Sequence, residues 1–73
     1  MSLKPLPYRE VKRKLEAAGF EIVSQKGSHV KFIKVASDQT RTAIVPNHKE
    51  IAIGTLRSIL RQAGITAEEF ENL

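Results

Sequence analysis

Cysteine is absent from this 73-residue chain. Its absence excludes thiol catalysis, thiolate-bound zinc and any disulfide that could support a small core. Tryptophan is absent too, and the aromatics are three phenylalanines and one tyrosine. Tyr8, Phe20, Phe32 and Phe70 all fall where an apolar core would claim them, so no stacking platform for bases is expected. Two histidines without cysteine or clustered carboxylates make a poor ligand set, and neither a metal nor another cofactor is expected. No apolar run approaches the roughly 20 residues that cross a bilayer. The opening Met1-Ser2-Leu3-Lys4-Pro5-Leu6-Pro7 lacks the apolar stretch of an export signal. A cytoplasmic location is the expectation.

Positive charge, in contrast, is abundant. The chain carries 12 Lys and Arg against 8 Asp and Glu, a net charge of +4. Three of the acidic residues, Glu68, Glu69 and Glu71, lie in the last six positions. Up to Ile65 the balance is therefore 12 basic to 5 acidic, or +7. A small domain this basic suits a polyanion such as RNA, although a solvated, solubilising surface would look the same by charge alone.

The apolar residues, 41% of the chain, suffice for one modest core, and residues 1–73 read as a single domain. Tyr8, Val11, Leu15 and Ala18 recur at helical spacing, so Pro7 to Ala18 reads as a helix closed by Gly19 with Phe20 as its apolar partner. Three strands follow: Phe20 to Gln25, His29 to Val35 and Arg41 to Val45. Lys26-Gly27-Ser28 and Ala36-Ser37-Asp38-Gln39-Thr40 are the turns between them, and Pro46 ends the third strand. Asn47 to Ile53 reads as a loop. Leu56, Ile59, Leu60 and Ala63 mark a second helix, with Gly64 as its cap and Ile65 packing back. Thr66 and Glu69 form a capping-box pattern, giving a short extra helix over residues 66–72. The expected fold is α+β: a three-stranded antiparallel sheet with two helices on one face, in the α-β-β-β-α order of double-stranded-RNA-binding domains. On the open face, simple alternation places Val23, Ile33 and Ala43, an apolar set that fits a protein partner.

Alternation in the second strand puts Val30 and Phe32 toward the core and His29 and Lys31 toward solvent. A neutral imidazole accepts a proton near neutral pH, and RNA carries its own nucleophile, the 2′-hydroxyl. His29 as base, with Lys26 and Lys31 stabilising charge on the phosphate, makes a minimal metal-free cleavage site. Gly27 supplies the turn, and the Ser28 hydroxyl is a candidate donor to phosphate or an ordinary turn residue. His48 reads three ways: as the acid that protonates the leaving oxygen, as a loop contact to RNA, or as a bystander. Arg9 with Arg13, and Arg57 with Arg61, are like-charge pairs at i, i+4. Each mildly opposes its helix, by roughly 0.2–0.5 kcal/mol, and phosphate contact is one reason to keep them. Glu10 with Lys14 is a favourable pair at the same spacing.

Three stretches together resemble the HicA family, the toxin halves of type II toxin–antitoxin systems: Val11-Lys12-Arg13-Lys14-Leu15-Glu16-Ala17-Ala18-Gly19-Phe20, Lys26-Gly27-Ser28-His29-Val30-Lys31-Phe32, and Gly54-Thr55-Leu56-Arg57-Ser58-Ile59-Leu60-Arg61-Gln62-Ala63-Gly64-Ile65. The resemblance runs from Pro7 to Phe70. It implies a double-stranded-RNA-binding-like fold, ribosome-independent cleavage of mRNA, and a HicB antitoxin that covers the active site. The family's active histidine follows a glycine and a small residue at the start of the second strand, and His29 matches that position. Two other readings share these residues. A non-catalytic RNA-binding module would keep the basic surface and leave His29 idle. A protein-interaction module would use the open sheet face.

Overall fold

The computed structural model describes residues 3–73. Its elements are α1 (Tyr8–Ala17), β1 (Glu21–Lys26), β2 (His29–Val35), β3 (Thr40–Pro46), α2 (Ile53–Ala63) and α3 (Ala67–Glu71). The strands form one antiparallel sheet in the order β1-β2-β3, so β2 is central and both outer strands are edges. The fold is α+β in the α-β-β-β-α order, with a third short helix at its end.

All helices gather on one face of the sheet. Val30 and Phe32 of β2 and Ala43 and Val45 of β3 meet Val11 and Leu15 of α1, Leu56, Ile59, Leu60 and Ala63 of α2, and Phe70 of α3. Phe32 is fully buried on the central strand, where truncation to alanine typically costs about 3–5 kcal/mol. The capping box predicted for the last helix is present, with the Thr66 side chain accepting from the Glu69 N–H and the Glu69 carboxylate accepting from the Thr66 N–H.

One placement differs from simple alternation. Ala43 is fully buried, and its neighbour Ile44 looks out from the open face instead. Pairing fixes this: Ala43 lies opposite Phe32, and Ile44 opposite Lys31. A bulge between Ile22 and Ser24 also shifts the parity of β1. Val23, at that bulge, is 53% exposed.

Both long helices end alike. Phe20 N–H donates to the Leu15 carbonyl and Gly19 N–H to Glu16; Ile65 N–H donates to Leu60 and Gly64 N–H to Arg61. Each is the paired closure that a glycine in the left-handed region permits, and Gly19 and Gly64 have φ of 101° and 72°. Lys34 and Arg41, a cross-strand pair, lie against these two glycines. The sheet therefore has a closed end at the helix C-termini. At its opposite end lie the helix N-termini and the β1–β2 turn. The outer edge of β3 is stoppered by α2: Ile44 N–H donates to Gln62 Oε1 at 2.9 Å.

Candidate functional site

The β1–β2 connection has only Gly27 and Ser28 between paired residues Lys26 and His29. Gly27 has φ of 60° and no non-glycine residue has a positive φ. That sign pattern belongs to a two-residue hairpin turn with glycine at its first position. The turn fixes the register, and the register sets the face of every side chain after it.

On the open face, residues paired across the strands form rows. The first row is Lys26, His29 and Pro46; the next is Ser24, Lys31 and Ile44; the third is Glu21, Ile33 and Thr42. Directly opposed side chains have Cβ atoms about 4.5–5.5 Å apart. Lys26 therefore stands beside His29, with Lys31 one row further along. All three are exposed, and no helix covers them.

The loop after β3 is tied to this turn. Asn47 N–H donates to the Ser28 carbonyl at 2.6 Å. The His48 N–H bonds back to the Pro46 carbonyl at 3.0 Å, and the His48 carbonyl accepts from Tyr8 N–H at 3.2 Å. Leu6 and Ile51 then bond reciprocally, Leu6 N–H to Ile51 at 3.2 Å and Ile51 N–H to Leu6 at 2.6 Å. Turn, loop and the start of α1 thus form one hydrogen-bonded assembly, from which the His48 side chain is exposed. Burial raises the pKa of Tyr8, with a smaller lowering by Lys12 and a smaller raising by Glu16.

The start of α2 lies here as well, because it follows this loop. Neither α1 nor α2 has a side-chain hydrogen bond at its N-cap, where Pro7 and Ala52 stand. The positive ends of two helix dipoles therefore add to the charges of Lys26 and Lys31 at the end of the molecule where His29 lies.

The arginines divide. Arg9 and Arg57, in the early turns of α1 and α2, lie at the His29 end but on the helical layer, not on the open face. Arg13 is committed elsewhere: it donates to both Glu10 oxygens, at 2.9 and 3.3 Å. That bond is the main cause lowering the Glu10 pKa. The expected Glu10–Lys14 pair does not form. Lys14 Nζ instead donates to the carbonyls of Phe70, Glu71 and Leu73, and lies 5.2 Å from the centre of the Phe70 ring. Arg61 sits in the last turn of α2, where a cation complements the helix dipole. Its place needs no ligand to explain it.

Asn47 carries no signal in the sequence, because its contribution is a main-chain bond to a residue 19 positions away. Among the described residues, no three His, Cys, Asp or Glu side chains gather as a metal site would require, and no helix is long and apolar enough to cross a membrane.

No curated protein matches the chain. A family model described as "HicA toxin of bacterial toxin-antitoxin" matches residues 8–65.

Proposed function

The chain belongs to the HicA toxin family of bacterial toxin–antitoxin systems, and from that premise we propose that it is a ribosome-independent mRNA interferase, a metal-independent endoribonuclease whose catalytic residue is His29. The observation that carries the reading is the exposed pair of Lys26 and His29, in one row with Pro46, at the end of the molecule where α1 and α2 begin without side-chain caps. A phosphate lying there meets a proton acceptor and two lysines at once. His29 takes the proton of the 2′-hydroxyl, the oxygen attacks the adjacent phosphorus, and the bond to the 5′-oxygen breaks. Lys26 and Lys31 stabilise the charge that builds on the phosphate oxygens. A Cβ at Gly27 would meet nothing within 4 Å, so the turn that carries Ser28 and His29 is open to an approaching phosphate.

Arg9 and Arg57 extend phosphate contact along the strand, with Arg13 and Arg61 as weaker RNA contacts and His48 as a further contact in the loop. The aromatic side chains are buried or half-buried, so bases find no stacking surface and the backbone dominates affinity. The natural inhibitor is a HicB-like antitoxin that presents acidic side chains to Lys26 and Lys31 and covers His29. Ile33 and Ile44 on the same face give it apolar contact.

Purified protein incubated with RNA in EDTA tests the reading. Cleavage is expected to continue in the chelator, to spare DNA of the same sequence, and to leave 2′,3′-cyclic phosphate and 5′-hydroxyl ends. Wild-type cleavage by a well-folded His29→Ala variant would overturn it.

A further inference from the structure

The geometry points to His48 as a second catalytic residue, the acid that protonates the leaving 5′-oxygen; this rests on the reading of His29 as the base. Across the sheet His29 is paired with Pro46, so His48 lies two residues beyond that partner. Paired Cα atoms are about 4.5–5.5 Å apart, and two residues of chain span at most about 7 Å, so the two histidine Cα atoms lie within about 12 Å. Two imidazoles on such a span can both reach one phosphate.

His48 is also held in an unusual way for an exposed loop residue. Its N–H donates to the Pro46 carbonyl, its carbonyl accepts from Tyr8, and the preceding Asn47 N–H donates to Ser28 in the turn that carries His29. Main-chain bonds thus fix the residue on both sides while its imidazole stays exposed. The main chain of His48 is thereby positioned relative to the turn that carries His29, and its imidazole is left exposed to substrate.

The direction of the row decides between candidate acids. In-line displacement needs base and acid on opposite sides of the phosphorus. Lys26 flanks His29 on the β1 side, and the Pro46–His48 segment flanks it on the β3 side. A phosphate seated beside His29 toward the β3–α2 loop has His48 opposite the base. The step then balances. The 2′-oxygen gives its proton to neutral His29 and forms a bond to phosphorus. The bond from phosphorus to the 5′-oxygen breaks with its electron pair on that oxygen, which takes a proton from the His48 imidazolium. Proton exchange with water restores both residues.

A sulfur substitution tests this. RNA carrying a single sulfur in place of the leaving 5′-oxygen needs no acid, because a thiolate departs readily, the parent thiol having a pKa of about 8.5. On ordinary RNA, His48→Ala and His48→Gln are expected to lose about 10²–10⁴-fold in cleavage rate. On the sulfur substrate both are expected to return to within a few-fold of wild type. His29→Ala is expected to stay slow on both substrates, which separates base from acid. Circular dichroism confirms folding, and the glutamine variant keeps the test valid if the alanine variant is unstable. Near-wild-type cleavage of ordinary RNA by folded His48 variants, or equal slowness on both substrates, would overturn the assignment. If His29→Ala were as fast as wild type, the base reading would fall and the acid with it.

Discussion

The two ends of the sheet are finished differently. At one end, Gly19 and Gly64 close α1 and α2, Lys34 and Arg41 lie against those glycines, and Lys14 gathers three carbonyls at the end of α3. Cations there are placed against backbone oxygens and helix C-termini. At the other end, α1 and α2 begin without side-chain caps, and Lys26, His29, Lys31 and His48 face solvent. Lysine and arginine side chains are consumed at one end, and Lys26 and Lys31 are left exposed beside the two histidines at the other. The total charge of +4 cannot convey this; the placement of the charge can.

The largest expected effect separates the ends outright. His29→Ala should lower RNA cleavage about 10²–10⁴-fold and leave thermal stability unchanged, because the side chain is exposed. Gly64→Ala should do the reverse. A Cβ there would come within 2.6 Å of the Arg41 guanidinium, at a φ of 72° that side chains resist. Holding a side chain in the left-handed region costs about 1–2 kcal/mol. For a domain this small, each kcal/mol corresponds to about 4–8 °C in Tm, read in a melting experiment. Cleavage lost in Gly64→Ala at a temperature where it remains folded would mean that the closed end also serves the reaction.

Affinity comes next. Arg9→Glu and Lys31→Glu should weaken RNA binding and reduce the dependence of log K on log salt by about one unit per phosphate contact removed. Arg13→Glu should do less, because Arg13 is already held by Glu10. Equal losses at Arg9 and Arg13, measured by titration at several salt concentrations, would show that the Glu10 pair yields to RNA.

Much of this division was legible in the sequence. The order of elements, the core residues of α1 and α2, the solvent face of His29 and Lys31, and the Thr66–Glu69 capping box all follow from periodicity and cap chemistry. The open face was half legible. Val30 and Phe32 fixed β2, but the β1 bulge and the pairing of Ala43 with Phe32 are long-range facts that alternation within one strand cannot supply. The arginine pairs were legible as anomalies, yet Arg13 and Arg61 have local partners in Glu10 and the α2 C-terminus. The tie from Asn47 to Ser28 was invisible, because every residue but proline carries the same N–H.

The smallest effects belong to α3, at the closed end. Thr66→Ala removes the hydroxyl that accepts from the Glu69 N–H while leaving the main-chain N–H that donates to the Glu69 carboxylate, and should cost about 0.5–2 kcal/mol in chemical denaturation with no change in cleavage. Acid should act in the same direction. Hydrogen bonds from Thr66 hold the Glu69 carboxyl below its ordinary pKa. Its contribution is therefore complete above the unfolded-state value and disappears as pH falls through the lower, folded-state value. In Glu69→Gln, which keeps an acceptor at that position, this part of the acid sensitivity should vanish.

The Gln62 side chain has a consequence for how this protein would be watched in motion. Main-chain amides on the outer edge of a sheet normally exchange their hydrogens with water quickly, because nothing bonds them. Ile44 is on such an edge, yet its N–H is bonded to the Gln62 carbonyl oxygen, and the Gln62 amide nitrogen in turn donates to Ser58 one helical turn away. Its exchange rate therefore reports how often α2 lifts from β3, independently of whether the sheet itself opens. In deuterium-exchange spectra the Ile44 amide is a built-in clock for that docking, readable with and without RNA and lost selectively in Gln62→Ala.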